Sequence, residues 1–222
     1  MNKDSSLQSV FQKGFLALGV LAAVGLVGYG LAYIIVMPKV SPGGFVPTTL
    51  GTSASASSGF GTILAVFVLV YAFALLPVNI MFTIKNYRTS PCALVFACCL
   101  TSLSLVIEIL NNLPLIAVGI YPGQLTSISS DVLLYLRQVE TIRWLSYDVT
   151  GFTLAYVAIF VYALVYFRSQ RRLSYTILGS IALFVANVPC LWFAPNAAVI
   201  LMALSIFAFA LVPIYLARMA TE

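Results

Sequence analysis

Residues 91–120 read PCALVFACCLTSLSLVIEILNNLPLIAVGI, a stretch with no Lys or Arg and a single carboxylate, Glu108. About 20 apolar residues suffice to cross the hydrocarbon core of a bilayer, so this stretch predicts a membrane-spanning helix. It also holds a second message. At about 3.6 residues per turn, Thr101, Ser104, Glu108, Asn111 and Asn112 fall within roughly 100° of arc. A helix surrounded by lipid has no use for such a stripe. An ionisable group at that depth is expensive and belongs against a bundle interior or a wet cavity.

The rest of the chain follows the same plan. Five further apolar stretches accompany this one, giving helices at about 15–37, 60–84, 91–120, 131–167, 174–193 and 197–218. Hydrophobic residues make up 62% of the chain and charged residues 8%, against about 25% charged in a soluble domain. Such a chain has too little polar surface to cover itself in water. The expected fold class is all-α: a polytopic membrane protein with six transmembrane helices in one bundle, forming a single domain over 1–222. The first stretch follows Lys3 and Lys13 as a signal peptide would, but its apolar core is too long, and a retained helix is expected.

Charge sets the orientation. Lys3 and Lys13 precede the first stretch, Lys85 and Arg88 follow the second, Arg168, Arg171 and Arg172 follow the fourth, and Arg218 ends the sixth. The alternate gaps hold Lys39 and the pair Arg137 and Arg143. Basic loops stay cytoplasmic, which places both termini in the cytoplasm. The outer segment 38–59, rich in Gly, Ser, Thr and Pro, reads as a flexible loop. In the outer segment 121–145, Asp131 caps a helix that carries Leu133, Leu134, Leu136, Val139, Ile142 and Leu145 at helical spacing. The fourth helix is therefore expected to extend beyond the bilayer on the outer side, with Trp144 and Tyr147 at the interface.

Several function classes recede. The net charge of +5 comes from residues at helix ends that face lipid headgroups, so nucleic acid is not an expected partner. The chain has no His, which removes the commonest metal ligand and general base. Cys92, Cys98, Cys99 and Cys190 form no C-x-x-C pair and lie in apolar runs, where Cys acts as a small hydrophobe. No phosphate-binding loop, nucleophile elbow or metal-ligand cluster appears. No catalytic residue, metal or cofactor is expected. Gly25 and Gly28 offer close helix packing in the first stretch.

The residues left over are polar groups at similar depth on three helices: Glu108 with Asn111 and Asn112, Asp148, and Asn187 beside Pro189. One reading is a pocket opening outward, lined by these five with Arg143 at its rim, that takes a small polar or cationic ligand, a lipid headgroup or a proton. The other is an interhelical hydrogen-bond network that holds the bundle together, each bond worth about 0.6 kcal/mol. A protonated Glu108 bonded to Asn111 or to a partner on the fourth helix satisfies that second reading. Asn79, beside Pro77, falls in the inner half and belongs to another contact.

Residues 162–169, YALVYFRS, followed by Gln170-Arg171-Arg172-Leu173 and Ile177-Leu178-Gly179, resemble the junction between the fourth and fifth helices of a bacterial six-helix family known as domain of unknown function 4386. That family usually has a proline in this short basic loop, where this chain has none. The resemblance implies six helices, a carboxylate in the third where Glu108 stands, and a bacterial plasma membrane; it implies no activity. The functional expectation is a non-enzymatic membrane component, either an accessory subunit or a binder of lipid or small molecule. Its partners would be membrane lipids and either a protein partner or further copies of itself. The alternative is a small proton-coupled transporter using Glu108 and Asp148. An intramembrane enzyme comes last, because bases and nucleophiles are scarce.

Overall fold

The computed structural model describes residues 3–40, 54–120 and 150–221. These residues form helices joined by short turns, with no strand among them. The helices are α1 (Lys3–Val40), α2 (Ala54–Asn86), α3 (Pro91–Ile120), α4 (Thr150–Tyr166), α5 (Arg171–Phe193), α6 (Pro195–Phe209) and α7 (Leu211–Thr221). The helix expected over 91–120 is α3. Four segments among the described residues are long and apolar enough to span a membrane: Val10–Ala32, Ala65–Asn86, Pro91–Leu113 and Ala197–Thr221, with Thr150–Tyr166 a shorter apolar helix. The protein is an integral membrane helical bundle. Of the flexible loop expected over 38–59, residues 38–40 belong instead to α1 and 54–59 to α2; residues 41–53, like the outer extension of the fourth helix over 131–149, lie outside the described residues.

Proline sets most of the boundaries. Pro91 and Pro195 open α3 and α6 at a position where the missing N–H has no helical partner to lose. Ala194 is extended (φ −152°, ψ 69°), as the residue before a proline tends to be, and its N–H closes α5 on the Cys190 carbonyl at 2.9 Å. The stretch expected as one helix over 197–218 is split into α6 and α7 at Ala210. Ala210 keeps helical dihedrals (φ −60°, ψ −19°) and its bond to the Ile206 carbonyl. The interruption arises because Pro213 has no N–H to offer the carbonyl of Phe209.

Glycine brings the helices together. A Cβ on Gly25 would stand 2.7 Å from the Tyr71 nitrogen and 2.8 Å from the Phe67 carbonyl, and one on Gly28 would enter the Phe67 ring. Likewise a Cβ on Gly19 would lie 2.9 Å from the Pro213 carbonyl on α7. Lipid tails are as apolar as the side chains, so packing distance and hydrogen bonds, rather than burial from water, select helix neighbours. The close packing foreseen at Gly25 and Gly28 is thus the α1–α2 contact.

α4 packs against five other helices. It meets α1 by stacking Phe152 on Tyr29 (5.7 Å) and α2 by an edge contact of Tyr162 with Phe82 (5.2 Å). It meets α3 through the Ser104–Gly151 hydrogen bond, α5 through Ser174 donating to the Ala163 carbonyl, and α6 through Tyr156 and Ser205. Its residues Val157, Phe160 and Leu164 are exposed and fall on one stripe. That stripe, with Val20, Val24 and Leu31 of α1 and Val106 and Leu110 of α3, forms an apolar outer surface suited to lipid.

The polar interior as a candidate functional site

The polar stripe of α3 faces inward. Thr101, Ser104, Glu108, Asn111 and Asn112 are all buried, while Leu103, Val106, Leu110 and Leu113 between them are exposed. Three of the five look toward α4 or their own helix for partners. Thr101 donates to the Ala97 carbonyl at 2.9 Å, and Asn112 to the Glu108 carbonyl at 2.8 Å, both one turn back. Ser104 instead reaches across and donates to the Gly151 carbonyl at 2.7 Å. Gly151 lies in the first turn of α4, and its carbonyl, with two lone pairs, can take the Ser104 hydroxyl besides a helical N–H.

Glu108 sits beside that joint and is 1% exposed. The Asn112 amide donates to its Oε2 at 3.4 Å. Its Oε1 presses on Gly151 so closely that a Cβ there would be only 2.2 Å away. Glycine at position 151 is therefore what lets a carboxyl group occupy the α3–α4 interface. The Tyr71 hydroxyl of α2 is buried and has no hydrogen-bond partner among the described residues. A polar string continues from Tyr156 into α5 and α6. Ser205 donates to the Ser180 carbonyl at 2.8 Å and Ser180 to the Ser205 carbonyl at 2.9 Å. With the single Ser205 hydrogen committed, Tyr156 is the donor in its contact with Ser205 Oγ.

Asn79 belongs to a separate cluster nearer the other end. The Tyr162 hydroxyl donates to Asn79 Oδ1 at 2.6 Å, and Asn79 Nδ2 donates to Cys98 Sγ at 3.3 Å. This ties α2, α3 and α4 at a second level. Asn187 of α5 is buried and donates to Met202 Sδ of α6 at 3.7 Å. Its Oδ1 has no hydrogen-bond partner among the described residues. Of the six residues singled out from sequence, Glu108, Asn111 and Asn112 share one face of α3, and the contact of Asn187 is to α6. Arg143 and Asp148 lie outside the described residues.

Sequence reading passed over Tyr71, Gly151, Tyr156, Tyr162, Ser180 and Ser205. Tyrosine and serine inside apolar runs are indistinguishable from packing residues. Gly151 did carry a signal: a glycine inside a helix costs about 1 kcal/mol relative to alanine, and close approach of another group is a reason to keep it. Among the described residues no group of three His, Cys, Asp or Glu side chains converges as a metal site. Compared with family models, curated proteins and solved structures, the chain gives no match in any of the three. The class is therefore defined by the bundle and its interior alone: an integral membrane protein whose polar groups bridge helices.

Proposed function

We propose that this protein is a non-enzymatic membrane component whose work is binding, to lipid or to a second polypeptide, rather than chemistry. The observation that carries the reading is the state of Glu108. Its carboxyl group is buried, held by Asn112 and seated against Gly151, a placement that supports a role in joining α3 to α4. The proposal includes six membrane crossings with both termini cytoplasmic, in a bacterial plasma membrane, and kinship with the six-helix family that residues 162–179 resemble. Contacts at one end of the bundle support that topology. Gln12 donates to the Thr221 carbonyl at 2.9 Å and Asn86 to the Met219 carbonyl at 3.5 Å. These bring the start of α1, the end of α2 and the end of α7 together, along with Lys13, Lys85, Arg88 and Arg218, as a single cytoplasmic face requires.

Native mass spectrometry of the protein released gently from its own membrane tests the reading. A stoichiometric second polypeptide or a defined bound lipid is expected, and the same species should survive Glu108→Gln, which keeps the amide–carbonyl shape of the joint. A bare chain with no retained partner would sink it. A second reading, a proton-coupled carrier, draws on the buried Glu108 carboxyl group and on the Tyr156–Ser205–Ser180 hydrogen-bond string in the interior. In vesicles it requires proton flux that Glu108→Gln abolishes.

A further inference from the structure

The strongest unassigned feature lies away from the polar interior, at the basic end of the bundle. A groove of about 470 Å³ opens between the α4–α5 turn and α7, lined by Arg168, Arg171, Arg172, Arg218, Tyr215 and Met219. We propose that this groove is a binding site for the phosphate group of an anionic lipid headgroup.

Four guanidinium groups from two elements far apart in sequence face one concavity. Like charges so gathered, Arg168, Arg171 and Arg172 of the α4–α5 turn above all, repel one another unless an anion sits among them. Among the described residues Arg168, Arg171 and Arg172 have no carboxylate partner. The residue type matters. A guanidinium is a rigid planar fork that takes two phosphate oxygens at once, whereas an ammonium acts as a point charge. A topology signal alone is served equally by lysine, and the chain uses lysine at position 85. The first turn of α5 adds a favourable field. Gln170 is its N-cap and makes no side-chain capping bond, so the leading amides of a 23-residue helix remain at the groove. Tyr215 supplies a hydroxyl from the α7 wall.

The surroundings select a lipid over a soluble phosphate. Phe167, which leads into Arg168, and Tyr175, one turn beyond Arg171, are exposed and pack edge-on at 6.0 Å. Exposed aromatics at a helix end mark the headgroup level of a bilayer. The groove thus lies where a lipid phosphate resides, with apolar surface beside it for the acyl chains.

The inference deepens the binding reading above and names its ligand class. Its test is independent of Glu108 and of membrane orientation. The full chain in detergent micelles is titrated with dioleoyl phosphatidic acid and, separately, dioleoyl phosphatidylcholine, and bound lipid is counted by native mass spectrometry. One saturable equivalent of phosphatidic acid is expected, bound at least about tenfold more tightly than phosphatidylcholine. Arg171→Gln with Arg172→Gln should lose that preference. Arg171→Lys with Arg172→Lys should also lose about tenfold, the worth of one charge-assisted hydrogen bond. Glu108→Gln should bind as the parent does. Full binding by the lysine variant would reduce the groove to diffuse charge and overturn the proposal. So would equal affinity for the two lipids, or displacement of phosphatidic acid by inorganic phosphate at comparable concentration.

Discussion

Replacing Gly151 by alanine tests the α3–α4 joint most directly. The new Cβ would stand 2.2 Å from Glu108 Oε1, 3.0 Å from Cδ and 3.3 Å from Cγ. The first distance is more than 1 Å short of ordinary contact. Because Cδ and Cγ are crowded too, rotating the carboxyl group about its last bond gives no relief. The whole side chain has to change rotamer, and in doing so it leaves the Asn112 amide, or else α4 moves outward and stretches the 2.7 Å bond from Ser104 to the Gly151 carbonyl. Overpacking of this kind costs about 1–3 kcal/mol, and each interhelical hydrogen bond lost adds about 0.6 kcal/mol. A destabilisation of about 2 kcal/mol is expected in reversible unfolding from mixed micelles. The decisive measurement is the double-mutant cycle with Glu108→Ala. Once the carboxyl group is gone, Gly151→Ala should be nearly neutral, leaving a coupling of about 1–2 kcal/mol. Additive effects, with coupling below about 0.5 kcal/mol, would show that the two residues do not touch.

Other substitutions probe the rest of the bundle. Gly25→Ala meets main-chain atoms of α2, which cannot rotate away, so it should destabilise by about 1–3 kcal/mol and more than Gly14→Ala, where nothing lies within 4 Å; comparing the two unfolding curves checks this. Tyr162→Phe removes the donor to Asn79 and leaves a buried amide oxygen short of its partner, for an expected loss of about 1–3 kcal/mol. Restoring part of that loss with Asn79→Leu in the same chain would confirm that the amide, and not the ring, carries the cost. Glu108→Gln should leave assembly intact by native mass spectrometry, whereas Glu108→Leu should disrupt the α3–α4 pair.

How far the interior could be read depends on whether a residue's partner lies on its own helix. The stripe from Thr101 to Asn112 was legible because helical geometry alone puts those side chains on one face, and the cost of a carboxyl group in lipid says which way that face turns. The Asn112–Glu108 bond lies within the same logic, one turn apart on α3. Asn187 shows where that logic ends. Its depth matched that of Glu108, but depth does not fix azimuth, and its contact is Met202 of α6. Asn79 was placed apart from the Glu108 group by depth, while Tyr162 and Cys98 as its partners came only from the fold. The basic run 168–172 was visible as charge; that Arg218 and Tyr215 close it into a groove was not.

The sequence by itself determined that this chain is a helical membrane protein, the helix over 91–120, the inward face of α3 and the gathering of basic residues at helix ends. Those properties follow from hydrophobic length and a period of about 3.6 residues, both local to one segment. The tertiary structure alone decided which helices touch, that α4 packs against five of the others, and that Gly151 receives the Glu108 carboxyl group. In lipid, one apolar helix face is nearly as good a neighbour as another. Partner choice rests on small residues and single hydrogen bonds between segments distant in the chain, and those matches exist only once the helices are side by side.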